Sequence, residues 1–367
     1  MNIIIFIIIL LVLVVVHEFG HFFFAKKFGI RVDEFGFGFP PKLFGKKYGE
    51  TEYTFNLLPI GGFVKIFGED PNEENTNGLD RERSFVNKAK WKQAIVLLAG
   101  VFANFILAWV LFSVGFMSGF PTSVNGKADY KLQDVNLVVI SVSKNSPAEK
   151  AGLKSGDKIV LIKSGEDLIT KSSPEDAKSF IVSHGLKEIE IGYFRGKIQD
   201  VSEINETKLT PVINAENKPA IGIAMDQIGV AKLAILPALF EGMKLTLSVT
   251  KDTIVGLYTL IIDGIRGQGS FTSITGPVGM VGIVGDAYQF GFVYLLSFTA
   301  LISVNLAIIN LLPFPALDGG RLFFLLIEKI KGSRINTKVA NTANMIGFGI
   351  LILLMLVVTY HDVVKLF

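Results

Sequence analysis

The chain of 367 residues is half hydrophobic and nearly neutral: 50% of its residues are hydrophobic, 19% are charged, and the formal net charge is +3. A mean hydropathy of +0.48 is typical of a membrane protein. The small net charge gives no support for nucleic-acid binding. The lack of cysteine excludes thiolate metal ligands and thiol nucleophiles, which leaves histidine, aspartate and glutamate as metal ligands.

Four segments are long and apolar enough to cross a bilayer as helices, which takes about 20 residues each. They cover residues 3–25, 93–118, 289–312 and 344–360. The first lacks the basic start and the small-residue cleavage site of a signal peptide, so we expect it to be retained. An even number of crossings predicts that both termini lie on the same side of the membrane.

The first predicted span contains the sequence His17-Glu18-Phe19-Gly20-His21. On a helix, two histidines four residues apart share one face and can bind one zinc ion, with Glu18 beside them as a candidate general base. Ionisable groups in a membrane span are costly unless they pair or bind a ligand, so the motif indicates a functional site. The alternative, a pair of satisfied core histidines, does not account for the glutamate between them.

The region between the first two spans is predicted to form a β-hairpin over about residues 31–66. Phe and Gly alternate in EFGFGFPP, and polar and aromatic residues alternate in ETEYTF, on either side of a glycine-bracketed turn at 45–49. Apolar strands next to a membrane favour a re-entrant or interfacial element. Simple anchoring of the phenylalanines at the interface is the alternative. Residues 69–84 are rich in Glu, Asn and Asp, and we expect a flexible loop there.

Residues 130–230 are predicted to form an α/β domain outside the membrane. Short β-branched strands surround a helix that starts at Ser146-Pro147 and stops at Gly152. Residues 231–288 follow as an amphipathic helix and a glycine-rich connector, and the helix is expected to lie against the membrane or to lead the chain back to it. The last two spans occupy residues 289–367.

Basic residues predict how the spans are oriented. They cluster in the connection between the first and second spans and in the connection between the third and fourth, at Lys26, Lys27, Arg31, Lys88, Lys90, Lys92, Arg321, Lys329, Lys331, Arg334 and Lys338. By the positive-inside rule, both connections face the cytoplasm and the α/β domain lies outside. His17 is roughly 20 Å along the helix from Ile3, which puts it near the cytoplasmic face.

A third zinc ligand is expected at Asp318, because a catalytic zinc site usually has three protein ligands and one open position. The sequence Asn310-Leu311-Leu312-Pro313-Phe314-Pro315-Ala316-Leu317-Asp318-Gly319-Gly320 follows the third predicted span. Its two prolines break the helix, and irregular backbone in a membrane is tolerated where it lines a cavity. Asp318 lies at the same depth as the histidine pair, whereas His184 and His361 lie outside. A helix-capping role for Asp318 is the alternative.

Four motifs together resemble the site-2 protease family of intramembrane zinc metalloproteases, in its RseP-like bacterial branch. They are HEFGH, the FGFG hairpin, AGVFANF in the second span and SVNLAIINLLPFPALDGG at the third. The resemblance implies that zinc binds to His17, His21 and Asp318 and that Glu18 activates the attacking water. It also implies a bacterial plasma-membrane protein whose outer domain is a single PDZ-like domain, where tandem domains are common in this branch.

The resemblance implies further roles in substrate handling. Asn310 would hold the substrate or stabilise the oxyanion, and Asn305 would contact the substrate, although an asparagine there also suits a hydrogen bond between helices. Gly36, Phe37 and Gly38 would hold an unwound substrate as an added strand. The substrates would be transmembrane segments, such as anti-sigma factors or remnant signal peptides, and the PDZ-like domain would bind a peptide.

Two other classes of function remain open on the residues alone. Intramembrane His, Glu and Asp residues could form the pathway of a metal-ion transporter, although no inverted repeat is visible and the second and fourth spans carry no ionisable group. A catalytically silent membrane scaffold that binds peptides through its outer domain is the other alternative. Glu18 argues against such a scaffold, because a silent protein would not need this residue.

Overall fold

The computed structural model describes residues 1–70, 72–124, 130–170, 172–195, 204–214, 216–267 and 275–364. These form two compact units. The first unit comprises Met1–Ser113, Leu239–Asp286 and Leu296–Phe367, and the second comprises Val114–Ala238 and Ala287–Leu295. The first unit carries the HEFGH motif and Asp318.

Helices long and apolar enough to cross a membrane dominate the chain. Within the described residues there are five of them: α1 (Asn2–Lys27), α3 (Lys90–Ser118), α6 (Ile235–Ile265), α8 (Phe292–Leu311) and α10 (Thr337–Val364). Four coincide with the predicted spans, so the prediction of an α-helical membrane protein with several spans is confirmed. The fifth, α6, is the segment predicted as an amphipathic helix, and it runs beside α3, with Trp109 Nε1 donating a hydrogen bond to the Leu239 carbonyl at 2.8 Å.

Shorter helices complete the helical part of the chain. They are α2 (Glu73–Asn77), α4 (Pro147–Lys150), α5 (Pro174–Ser183), α7 (Pro277–Phe290) and α9 (Asp318–Lys331). The expectation of a flexible loop at 69–84 is wrong, because Asn72 and Asn75 form a reciprocal capping box on α2 and two 3-10 turns follow it. Residues 268–274 of the predicted glycine-rich connector lie outside the described residues.

The predicted hairpin forms from two long antiparallel strands, β1 (Val32–Tyr48) and β2 (Thr51–Ile66). Both strands bend, so that the first part of β1 pairs with two stretches of β2. Phe35, for example, is paired with Val64 and also with Tyr53. The two ends of β2 therefore lie on opposite sides of residues 34–37, and the stretch 62–66 forms an edge of this sheet.

The second unit is built on a seven-stranded sheet. Its strands run in the order β3-β11-β4-β5-β7-β8, with β6 paired to β5. Their bounds are β3 (Phe120–Ser123), β4 (Gln133–Val142), β5 (Lys158–Ser164), β6 (Asp167–Thr170), β7 (Ile189–Phe194), β8 (Asn205–Leu209) and β11 (Ile223–Ala231), beside a small pair β9 (Val212–Ile213) and β10 (Pro219–Ala220). Ile162, Ile189 and Ile191 are fully buried in its core, which α4 and α5 help to cover.

Candidate active site

Helix α1 presents both histidines on its buried face. Residues on this face recur every three or four positions, as expected for one stripe of a helix: Phe6, Ile9, Leu13, His17, Gly20, His21 and Ala25. His17 and His21 are 7% and 6% exposed. Their rings meet edge to face, with centroids 4.8 Å apart. The spacing of four residues therefore places the two imidazoles side by side, as predicted.

Asp318 is the first residue of α9, directly after the break that follows α8. The break is compact: the Phe314 amide donates a hydrogen bond to the Leu312 carbonyl at 2.7 Å. A Cβ atom at Gly319 would lie 2.3 Å from the carbonyl oxygens of Leu311 and Leu312. Glycine at 319 thus lets the first turn of α9 pack against the end of α8, and this close packing fixes Asp318 at the end of the membrane helix.

The three predicted ligands converge on one point. Asp318 Oδ2 lies 3.0 Å from His17 Nε2 and 3.2 Å from His21 Nε2, and the two Nε2 atoms are 3.2 Å apart. Within the described residues, this trio is the one group of His, Asp or Glu side chains whose ligand atoms could share a metal ion. Sequence positions about 300 residues apart are thus brought to a single site.

This donor set fits a zinc ion. Two ligands at zinc distances of 2.0–2.2 Å in a tetrahedral arrangement are about 3.3–3.6 Å apart, slightly more than the separations of 3.0–3.2 Å found here. Asp318 Oδ2 is buried, and despite its proximity to both rings it has no hydrogen-bond partner with acceptable geometry in the described part of the chain. A buried carboxylate oxygen next to two ring nitrogens requires a compensating positive charge, which a metal ion provides.

Residues of helix α3 contact the Nδ1 atoms of both imidazoles. His21 Nδ1 lies 2.7 Å from the carbonyl oxygen of Val96, and His17 Nδ1 lies 3.3 Å from the side-chain amide of Asn104. The Cβ atom of a residue at 100 would be 2.4 Å from His21 Nε2, so glycine is required there. The motif AGVFANF contributed only to the family resemblance, and its sequence gave no sign that Gly100 and Asn104 touch the site.

Glu18 is half-buried next to the three ligands. Its carboxylate interacts electrostatically with His17, His21, Asp318 and Arg321, and it lies close to the backbone of Val64. Arg321, one turn after Asp318, forms an ion pair with Glu69 at the end of the hairpin. The glutamate of HEFGH therefore lies between the ligand cluster and the edge strand of the hairpin sheet.

The residues Gly36, Phe37 and Gly38 lie in the interior of the hairpin sheet. Gly36 is paired with Phe63 and Thr54, and Phe37 is paired with Gly62 and Phe55, so both residues have a strand on each side. Phe37 also stacks on Phe55 with centroids 4.7 Å apart. In the described residues, the stretch 62–66 has a strand partner on one side only, and Gly62 faces Val14 and Val15 of α1.

The two asparagines of α8 have different surroundings. Asn305 Oδ1 accepts a hydrogen bond from Thr253 Oγ1 at 3.0 Å, which joins α8 to α6. This contact is the interhelical hydrogen bond considered as the alternative to substrate contact. Asn310 is half-buried on the last turn of α8. In the described part of the chain, neither asparagine forms a hydrogen bond with the three ligand side chains, and their roles in substrate handling remain predictions.

The chain is similar over nearly its whole length to known zinc metalloproteases. Residues 5–354 match peptidase family M50. The chain belongs to peptidase family M50. The zinc metalloprotease RasP of Geobacillus kaustophilus is 31% identical over 100% of this chain and 98% of its own length. The regulator of sigma-W protease RasP of Bacillus subtilis is 31% identical over 100% of this chain and 99% of its own length. A relative from Clostridium acetobutylicum is 34% identical over 99% of this chain and 97% of its own length.

Family membership confirms the predicted family, the enzyme class and the dependence on zinc. The protein is a member of the site-2 protease family, a zinc-dependent metalloprotease that acts within the membrane. Several apolar helices make it a multi-pass membrane protein.

Proposed function

We propose that the chain cleaves transmembrane segments of membrane proteins at the cluster of His17, His21 and Asp318. The convergence of three ligand atoms within 4.8 Å, next to Glu18 and on helices long enough to cross a bilayer, carries this proposal. A hydrolytic site at this position reaches peptide bonds that soluble proteases cannot. The substrates we propose are single membrane-spanning segments, such as anti-sigma factors or remnant signal peptides.

The chemistry follows from the ligand set. His17, His21 and Asp318 would hold a zinc ion, which would supply Lewis acidity and lower the pKa of a water molecule from 15.7 toward about 7. Glu18 accepts the proton of the attacking water and later delivers it to the leaving amine. Arg321 places a positive charge close to Glu18. Asn310 holds the substrate or donates a hydrogen bond to the developing oxyanion.

The substrate is held as an added strand. A helical segment must unwind before cleavage, because its carbonyl groups are hydrogen-bonded within the helix. The sheet edge at 62–66 offers unpaired backbone next to Glu18, and an extended segment can pair with it. Gly36, Phe37 and Gly38 support this edge from the neighbouring strand, since both sides of residues 36 and 37 are already paired. The hydrogen bond between Asn305 and Thr253 keeps α6 next to α8.

The orientation follows from charge. The basic connections after α1 and between α8 and α10 face the cytoplasm, by the positive-inside rule. The site then lies near the cytoplasmic face of the bacterial plasma membrane, because His21 and Asp318 lie at the ends of α1 and α8 next to those connections. The second unit is extracytoplasmic.

The second unit is a PDZ-like domain that binds peptides. A cleft of about 510 Å³ runs between α5 and the start of β11 and is lined by Lys178, Ile181 and residues 221–225. Residues 223–225 pair with β4 on one side, while β3 pairs with β11 only from Ile228 onward. Backbone groups next to the cleft are therefore open to a peptide strand, and Lys178 adds a positive charge for an acidic group or a carboxyl terminus.

The test uses the full-length protein in proteoliposomes with a transmembrane substrate peptide. Glu18→Gln is expected to retain zinc, measured by mass spectrometry of the metal, and to lose cleavage by a factor of about 100 or more. Glu166→Gln, an exposed side chain of the second unit, is the matched control and should cleave as the wild type does. Cleavage that survives Glu18→Gln would rule out the mechanism. Zinc transport into sealed vesicles would favour a transporter, and binding of peptide without cleavage by the wild type would favour a silent scaffold.

A further inference from the structure

Asn104 of α3 is a buried polar side chain whose hydrogen-bonding capacity is only partly satisfied. It is 0% exposed in the membrane part of the first unit, and its Oδ1 atom has no hydrogen-bond partner in the described residues. Its Nδ2 atom is 3.3 Å from His17 Nδ1. A buried amide in an apolar helix is costly, so its contact with a metal-ligand histidine calls for a functional explanation.

The direction of the hydrogen bond depends on the tautomer of His17. Nε2 of His17 faces Asp318 Oδ2 and His21 Nε2, so Nε2 is the nitrogen that binds the metal. A nitrogen that binds a metal carries no proton, and the proton of a neutral imidazole then lies on Nδ1. Nδ1–H needs an acceptor, and the only side chain that the structure records within hydrogen-bond distance of it is Asn104.

The amide of Asn104 can provide that acceptor by rotating. Rotation by 180° about its last side-chain bond exchanges Oδ1 and Nδ2, which have nearly the same shape. In the arrangement with Nδ2 toward Nδ1, the amide donates to His17 and the ring proton lies on Nε2, next to Asp318. In the rotated arrangement, Oδ1 accepts the Nδ1 proton and Nε2 is left free to bind a metal.

Backbone packing keeps this side chain in place. Ser303 Oγ of α8 donates a hydrogen bond to the Asn104 carbonyl at 2.7 Å. One turn earlier, Gly100 allows α3 to come close to both imidazoles. Residues 100 and 104 lie on one face of the helix, because they are four positions apart. Gly100 therefore provides the close approach, and Asn104 provides the hydrogen bond.

We propose that Asn104 is a positioning residue whose side-chain amide, with Oδ1 toward His17 Nδ1, accepts the Nδ1 proton and holds His17 in its metal-binding tautomer. The proposal rests on the metal site of the proposed function. An asparagine is suited to this position because it can both donate and accept. Hydrogen bonds to the remote nitrogen of a metal-ligand histidine orient the ring and raise its basicity, and their loss typically costs about 10–100-fold in metal affinity.

The test measures zinc affinity of the full-length protein in detergent by competition with a chromophoric chelator. Asn104→Leu keeps the size of the side chain without hydrogen bonds, and it is expected to bind zinc about 10–100-fold more weakly than the wild type. Asn104→Asp keeps an acceptor for Nδ1–H and is expected to retain most of the wild-type affinity. Ser113→Ala, which removes another buried polar group of α3, is the control and should bind as the wild type does.

A second readout separates ligand positioning from packing. Cobalt(II) in place of zinc reports the geometry of the ligands by its visible absorption, which Asn104→Leu should change and Asn104→Asp should preserve. If Asn104→Leu does not fold, Asn104→Val serves as the apolar variant. Wild-type affinity in the apolar variant would overturn the inference, as would equal losses in Asn104→Leu and Asn104→Asp. If the wild type and Ser113→Ala bind no zinc, the proposed metal site itself fails.

Discussion

The Nδ1 atom of His21 lies 2.7 Å from the backbone carbonyl oxygen of Val96, which ties helix α1, the helix of the HEFGH motif, to its neighbour α3. The carbonyl can only accept, so the His21 ring proton is on Nδ1 and Nε2 faces Asp318. This contact requires the two helices to lie very close together. Gly20 and Gly100 allow it, since a Cβ at 20 would be 2.3 Å from the Ala99 carbonyl oxygen and one at 100 would reach His21.

Gly100→Ala is expected to abolish zinc binding. The added methyl group would be 2.4 Å from His21 Nε2 and 2.7 Å from His17 Cε1, so the rings must move away from Asp318. Zinc content after dialysis, measured by mass spectrometry, should fall from about one per chain to near zero. Gly256→Ala on α6 is the matched control, because nothing lies within 4 Å of its added methyl group. Normal zinc content in Gly100→Ala would contradict the helix packing described here.

Asp318→Asn should lose zinc while the fold is retained. The substitution keeps the size of the side chain but replaces a charged ligand with a weak neutral one, and two histidines alone do not hold a catalytic zinc tightly. We expect cleavage and zinc content to fall together, measured on the same purified sample. Asp252→Asn, at an exposed position on α6, provides the control. If cleavage disappears while zinc stays at the wild-type level, Asp318 acts in another way.

His184 gives the second unit a pH-dependent contact. Its Nδ1 lies 2.8 Å from the Phe180 carbonyl and its Nε2 lies 3.0 Å from Asp167 Oδ2, so both ring nitrogens have acceptors. These contacts raise the pKa of His184, first through the Phe180 carbonyl and then through Asp167. Because the folded-state pKa is raised, the stabilisation is fully present below the ordinary pKa of about 6.5 and is lost as the pH rises through the raised value.

The measurement is hydrogen exchange of the α5 amides in the full-length protein. His184 follows the last residue of α5, where a positive charge favours the helix. His184→Gln should therefore speed α5 exchange relative to the wild type at about pH 6 and have little effect at about pH 8.5. The ratio of the two proteins at each pH removes the intrinsic pH dependence of exchange. A ratio that does not change between the two pH values would contradict the prediction, and Asp167→Asn should reduce the effect.

Much of this protein could be predicted from short patterns. Spans are visible in sequence because about 20 apolar residues in a row have few alternatives to a membrane helix. The HEFGH motif and Asp318 could be predicted as a site because ionisable residues are rare at membrane depth. Residues 69–84 were misjudged as a flexible loop, since their polar composition concealed the capping box of Asn72 and Asn75 and the ion pair between Glu69 and Arg321.

Other features depend on contacts between distant parts of the chain. The free edge of the hairpin sheet is at 62–66 and not at Gly36 or Phe37, because both strands bend and β2 pairs with both sides of residues 34–37. A period of two identifies a strand but does not say which of its edges is covered. Asn305, likewise, could be assigned to its contact with Thr253 only once α6 was known to lie against α8.

The sequence by itself determined the family and the zinc chemistry and predicted the three ligands, because these depend on residue types that have few other uses in a membrane. The tertiary structure alone decided how the ligands are supported. Val96 contributes a backbone carbonyl, which every residue type has, and Gly100 contributes the lack of a side chain. Asn104 became part of the site only when α3 was packed against α1, because a hydrogen bond over 87 positions of sequence leaves no local pattern.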